Sequence, residues 1–555
     1  MARATKNILF IMYDQLRFDY LSCAGHPFLA TPNFYRVAAM GVRFDRTYVQ
    51  SPICGSSRMS FYTGRYVHSH GAQMNGYPLK VGEQTLGDHL RAAGMGCWLI
   101  GKTHMRADVP GMERLGITHD SVIGARVAEC GFDVWVRDDG LWAEGPDGFY
   151  DENRSPYNEY LKSKGYPSDN PWHTHANAGR TGDGDIASGW FTQHAEKPAN
   201  IREEDSETPW LTGQAIEFID AQGDTPWCAH VSYIKPHWPY IVPAPYHAMY
   251  GHNQMLPVNR SADEKVNPHP VFEAYFSNAI GRLFQREEVR DKVVPAYMGL
   301  IKQCDDQLGR LLDHLDATGR MEDTMIILTS DHGDYLGDHW MGEKSLFHDC
   351  SVRVPLIIYD PSPEADTTRG TVCDALIESI DVTATCIQAA SGSVPDHIVE
   401  GRPLQAFLQG MPPADWRGYA ISEFDYATTA MAEGLGVSPR NARLFMVVDE
   451  RWKMMHAEGG FRPMLFDLES DPGELTDLGD DPAYSEVIDR MYDHLAEWAR
   501  RMSQRTTLSD AQIKAMRGKS LRKGILIHLY DGSEVDPELT ERIRGTTDAD
   551  FTPSE

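Results

Sequence analysis

Five short apolar runs, at residues 7–13, 97–101, 227–234, 324–329 and 354–359, constrain this chain more than any other feature. Each is too short for a core helix and too uniformly apolar for a strand with one solvated face, so each fits a strand buried on both sides. Amphipathic stretches with helical spacing fall between and around them: 32–40 behind a Thr31 cap, 86–93, 211–221, 294–315 and 382–390. Strands alternating with helices dictate an α/β fold, a large and mostly parallel sheet sandwiched by helices with right-handed crossovers. The 555 residues supply ample core for it.

Beyond about Asp415 the rhythm changes. Runs at 419–424, 444–448, 452–456 and 464–468 are separated by turn-length gaps, which predicts a smaller antiparallel sheet, followed by a helix over 485–502. The expected organisation is a catalytic α/β domain over 1–414 with an insertion at about 106–208 that lacks periodicity, an antiparallel sheet-plus-helix subdomain over 415–502, and a polar extension over 503–555 that could serve oligomerisation.

A formal charge of −28 repels phosphate backbones and anionic lipid headgroups, which argues against nucleic-acid and membrane partners. The first apolar run meets Asp14 too soon to span a bilayer or act as a secretory core, so a cytoplasmic location is expected. Nine cysteines without paired spacing agree, since an odd, scattered set does not form a disulfide framework.

Polar residues follow the apolar runs immediately: Asp14-Gln15, Lys102-Thr103-His104, Lys235-Pro236-His237 and Asp331-His332-Gly333-Asp334. Open parallel sheets bind ligands beyond the carboxyl ends of their strands, so these four segments are expected to converge. Asp14, Asp331 and His332, with the amide oxygen of Gln15, form a donor set for one divalent cation of borderline hardness. Arg58, Lys102 and Lys344 add local positive charge to an acidic protein, which points to a small anionic substrate.

The segment from Ser51 to Arg65 contains Cys54, then Arg58 four residues later, then Thr63-Gly64-Arg65. It resembles the signature of the type I sulfatases, members of the alkaline phosphatase superfamily. The likeness extends to Gly101-Lys102-Thr103-His104, Lys235-Pro236-His237-Trp238-Pro239-Tyr240, Asp331-His332-Gly333, Lys344, and Leu465-Phe466-Asp467-Leu468 with Asp471-Pro472-Gly473-Glu474. Asp-Gln at the first strand and Asp-His at the later one resemble the subgroup of phosphonate monoester hydrolases and related arylsulfatases. The resemblance implies an alkaline phosphatase-like fold and oxidation of Cys54 to formylglycine by a maturation enzyme. It implies a metal held by Asp14, Gln15, Cys54, Asp331 and His332, and a homodimer or tetramer. Arg58 and Lys102 are then expected to hold the hydrated aldehyde, and His104 to take its second hydroxyl proton. His237 is expected to protonate the leaving group, Lys344 to contact the transferring oxygens, and Asn75 to bind substrate.

This chain departs from the family pattern at Ser56, where the maturation consensus prefers Pro or Ala. It keeps the sulfatase-like Lys102 and His104 where phosphonate hydrolases of the subgroup carry Tyr and Thr. Sulfate monoesters, with aryl sulfates as model substrates, are therefore expected ahead of phosphonate monoesters and phosphodiesters, with promiscuity toward the latter. The softer ligand set favours manganese, with calcium or zinc as alternatives. An unmodified Cys54 would instead leave a metal-binding protein without turnover. Trp135, Trp142, Tyr150, Tyr157, Trp172 and Trp190 read as loop packing before pocket walls, His173 and His175 as surface residues, Asp305-Asp306 as a solvated face, and the acidic stretch 467–481 as turns and caps.

Overall fold

The computed structural model describes residues 5–118, 120–140 and 155–517, which leaves Trp142, Tyr150 and most of the 503–555 extension outside the described residues. Eight strands build the large sheet: β1 (Asn7–Asp14), β2 (Val42–Tyr48), β3 (Gly96–Gly101), β4 (Asp133–Arg137), β7 (Trp227–Pro236), β8 (Thr324–Ser330), β9 (Arg353–Tyr359) and β10 (Thr371–Glu378). Their order is β10-β2-β9-β8-β1-β7-β3-β4. A small hairpin pairs β5 (Ala178–Arg180) with β6 (Ile186–Ser188), and β11 (Ala420–Asp425), β12 (Arg443–Val448), β13 (Trp452–Ala457) and β14 (Met464–Asp467) form the expected antiparallel meander.

Every residue of β1 is buried, because it lies mid-sheet with helices on both faces. Its Leu9, Ile11 and Tyr13 pack into one core cluster and its Ile8, Phe10 and Met12 into another, one on each side of the sheet. Pairing is parallel except at β9, which runs antiparallel to both β2 and β8. The run at 354–359 was expected among parallel strands; a strand buried on both faces has the same apolar pattern in either direction, so its sense is not visible in its residues. β2, β4 and β10 are interrupted by polar residues, among them Arg43, Asp45, Asp133 and Asp374, and β4 and β10 form the two sheet edges. β4 also shows that the segment after Arg106 contributes to the main sheet.

The long helix spans Glu287–Ala317 and runs through Pro295, several residues ahead of the expected start. Proline usually sits in the first turn, but burial along this helix outweighs that preference. Asp305, expected on a solvated face, is fully buried on this helix. Its Oδ1 accepts from the Asn33 and Phe34 amides at 2.9 and 3.0 Å, capping helix Pro32–Met40 in place of Thr31.

Both sheets lie in one compact unit, Met1–Val394 with Val399–Arg501. Lys453 on β13 is fully buried and pairs with Asp349 at 2.5 Å and Glu474 at 2.6 Å, which fastens the small sheet to the segment behind Asp331. The acidic stretch forms turns: Asp477 Oδ1 accepts from the Leu465 and Gly479 amides. A second unit contains Pro395–Ile398 and the residues from Met502; in it Ser509 caps helix Asp510–Met516. Among the described residues no helix is long and apolar enough to cross a membrane, and all nine cysteines are unpaired, seven of them buried.

Candidate active site

Neighbouring parallel strands β8, β1, β7 and β3 end on one edge of the sheet, and there they deliver Asp331, Asp14, His237 and Lys102. Helix Cys54–Thr63 closes over this edge with all ten residues buried. It stops at Gly64, whose φ of 65° suits glycine and whose absent Cβ would lie 2.8 Å from Val399. Cys54 in its first turn points at the strand ends. Its Sγ lies 3.0 Å from Lys344 Nζ, 3.1 Å from His332 Nε2 and 3.8 Å from Asp14 Oδ1.

Arg58, one turn later, is fully buried and ties the two carboxylates together. Its Nε donates to Asp331 Oδ2 at 2.8 Å and its Nη2 to Asp14 Oδ2 at 3.2 Å, while Nη1 donates to the Lys102 carbonyl and Ser232 Oγ at 3.0 and 2.7 Å. Lys102 Nζ reaches Asp14 Oδ2 at 2.5 Å. Burial and the Cys54 thiolate push the Asp14 carboxyl up, but Lys102, His237 and Arg58 outweigh them and hold it well below the usual carboxylate range. Burial likewise pushes the Cys54 thiol up, and Lys344, His332, Lys102 and His104 reverse this and hold it well below its ordinary value. Position 54 is thus built to carry a negative atom.

Asp14, Cys54, Asp331 and His332 bring ligand atoms within 4.8 Å of one another, all buried. His332 Nδ1 faces the Gly333 carbonyl at 2.8 Å, which can only accept; burial lowers the imidazole but Asp331 raises it above its ordinary value, so Nε2 offers a lone pair to a cation once its proton is displaced. Two carboxylates, a neutral imidazole nitrogen and position 54 fit a divalent cation. Gln15 contributes less directly. Its amide nitrogen donates to Tyr240 and Asp334, and its Oε1 accepts from Lys344 at 3.3 Å.

A cavity of 430 Å³ opens over Cys54 and is lined by the expected Asn75, Lys102, His104, His237 and Lys344. Asn75 Oδ1 accepts from the Gly55 amide at 2.8 Å, leaving its NH₂ for a ligand. His237 is held down to about 4, chiefly by burial and also by Lys344, whose Nζ lies 3.4 Å from His237 Nε2. Trp172, Trp190 and Trp238 wall the outer cavity, with Trp190 and Trp238 centroids 5.0 Å apart, so two of the loop aromatics are pocket residues. Tyr157 is core and Trp135 packs on Phe218 at the edge. His175 is buried beside Tyr166, not on the surface, and His173 accepts from Trp190. Sequence reasoning missed Ser232, Tyr240 and Asp334 as partners of Arg58 and Gln15. Tyr240 and Asp334 stand inside the quoted motifs, whereas Ser232 lies within a strand and gives no local sign.

Ser56 Oγ is buried without a hydrogen-bond partner. Replacing Ser56 by Ala is expected to raise stability by about 1 kcal/mol, since the orphaned hydroxyl disappears. Thermal melting checks this; a lower melting temperature would show that Ser56 contributes a bond after all.

The sulfatase family model matches residues 6–125 and 146–393, about two thirds of the chain. The chain belongs to the sulfatase family. A second model, the C-terminal region of N-sulphoglucosamine sulphohydrolase, matches residues 337–501. The multifunctional alkaline phosphatase superfamily protein PehA of Trinickia caryophylli is 30% identical over 90% of this chain and 96% of its own length. An arylsulfatase of Clostridium perfringens is 28% identical over 87% and 92%. The solved phosphonate monoester hydrolase of Silicibacter pomeroyi superposes with a TM-score of 0.78 at 30% identity, covering 91% of this chain and 97% of that one. The sulfatase described here thus has the alkaline phosphatase-like fold.

Proposed function

We propose that this sulfatase hydrolyses sulfate monoesters, aryl sulfates among them, with Cys54 in its formylglycine form as the nucleophile. The observation that carries the reading is the position of Cys54 Sγ, with Lys344 at 3.0 Å, His332 at 3.1 Å and Asp14 at 3.8 Å. The hydrated aldehyde supplies one hydroxyl that bonds to sulfur as the S–O bond of the ester breaks, and a second whose deprotonation releases sulfate and restores the aldehyde. Asp14, Gln15, Asp331 and His332, with residue 54, would hold one divalent cation, manganese ahead of calcium or zinc, which when bound supplies Lewis-acid charge.

The chain's own groups carry the remaining tasks. Lys102 and Arg58 fix Asp14 and Asp331 against the nucleophile, and Asn75 and Lys344 offer donors to the sulfuryl oxygens. His237 and Lys344 serve the departing oxygen as a hydrogen-bonded pair: His237, held neutral, accepts from Lys344, and the ammonium supplies the proton that His237 passes on. His104 takes the proton from the second hydroxyl. The indole wall of Trp172, Trp190 and Trp238 shields an aryl leaving group from water.

Phosphonate monoesters and phosphodiesters present a similar tetrahedral anion, and the likeness to the Silicibacter phosphonate monoester hydrolase supports them as secondary substrates. We expect higher kcat/KM for an aryl sulfate than for the matched aryl phosphonate, and a strong phosphonate preference would reverse the order. Mass spectrometry of the peptide around Cys54, from a host with the maturation enzyme, should find formylglycine; a thiol would leave a metal-binding protein without turnover. The eight cysteines other than Cys54, all without a disulfide, fit a reducing cytoplasm, and a homodimer or tetramer completes the proposal.

A further inference from the structure

His104 stands in the left-handed region, with φ of 53°, a backbone conformation that a residue with a Cβ adopts only when its surroundings impose it. One carboxylate binds this turn. Asp139 Oδ1 accepts from the His104 amide at 2.9 Å and from the Thr103 amide at 3.2 Å. Strands β3 and β4 end in register, Gly101 beside Arg137, so the chain leaving β4 places Asp139 opposite the 102–104 turn. Arg137 pairs with the second oxygen of Asp139 and lies 3.4 Å from Glu129 Oε1, and Thr103 Oγ1 donates to Glu129 Oε2 at 3.3 Å, which closes a ring of buried groups back onto the same turn. The Asp139 side chain is 3% exposed, and although burial raises its carboxyl, Arg137 and the His104 amide draw it below its ordinary value. It therefore offers charge-assisted acceptor bonds to the turn.

We propose that Asp139, clamped by Arg137 and Glu129, is a positioning residue that holds the His104 turn so that its imidazole faces the nucleophile. This rests on the reading of His104 as the proton acceptor above. Without the clamp, the turn is free to relax toward ordinary dihedrals and the ring moves off its target, a displacement that lowers the chemical step while leaving substrate affinity nearly intact.

The test is a double-mutant cycle on the matured, metal-loaded enzyme with para-nitrophenyl sulfate, combined with hydrogen exchange measured by mass spectrometry. Asp139→Ala is expected to lower kcat about 10²-fold with KM within about twofold. Amide exchange should accelerate over residues 102–106 and stay unchanged over β3. Asp139→Ala in a His104→Ala background should be no slower than His104→Ala alone, because both changes remove one function. Losses that multiply, or unchanged exchange over 102–106, overturn the proposal. If Asp139→Ala does not fold, Asp139→Asn runs the same cycle, keeping the shape while losing the charge that pairs with Arg137. If the wild type fails to cleave the sulfate, the assignment of function falls, and exchange still decides whether Asp139 holds the turn.

Discussion

Cys54→Ala is expected to reduce aryl sulfate turnover by about 10⁴-fold or more while leaving the melting temperature close to that of the wild type. The size follows from what is lost: without the nucleophile only binding and electrostatic stabilisation of the leaving group remain, and such remnants are small in enzymes that react covalently. The fold is spared because residue 54 starts a helix whose backbone alanine suits, and the loss of partners for Lys344 and His332 is offset by relief of the repulsion with Asp14. Steady-state assays on purified, metal-loaded protein measure it. A loss under about tenfold would move the nucleophile elsewhere and with it the whole mechanism.

Arg58→Met is expected to destabilise the protein by about 3–5 kcal/mol, a far larger effect than most buried substitutions, because it leaves two buried carboxylates without their shared partner. Arg58 is wholly enclosed, and its bonds to Asp14, Asp331, Ser232 and the Lys102 carbonyl have no water to replace them. Lys102 still reaches Asp14, so Asp331 carries most of the loss. Saturating manganese should return part of it, because the cation neutralises the same two carboxylates and binds only the folded state. Denaturant midpoints with and without manganese report both quantities. A loss below about 1 kcal/mol would mean that Asp14 and Asp331 tolerate the buried site unaided.

Much of the site was readable along the chain, because strand ends advertise themselves as an apolar run broken by an ionisable residue. Asp14, Lys102, His237 and Asp331 all stand at such breaks, and β8, β1, β7 and β3 are neighbours in the sheet. Other features were closed to that reading. Asp305 reads as solvent-facing on a helical wheel, and only its packing on helix Pro32–Met40 makes it a buried cap. The aromatics of the 106–208 segment have no periodicity, so which of them line the cavity depends on how the loop returns over the sheet.

The residues alone pointed to the kind of site: a cysteine in a family signature, two carboxylates, an imidazole and three cationic groups suit a small anionic ester, since local side-chain identity sets what can bind charge. Tertiary structure decided the geometry, namely that β9 runs backwards, that Ser232 anchors Arg58, and that Asp139 grips the His104 turn. Those contacts join positions dozens to hundreds of residues apart, and nothing local to either partner encodes a meeting that only the closing of the sheet brings about.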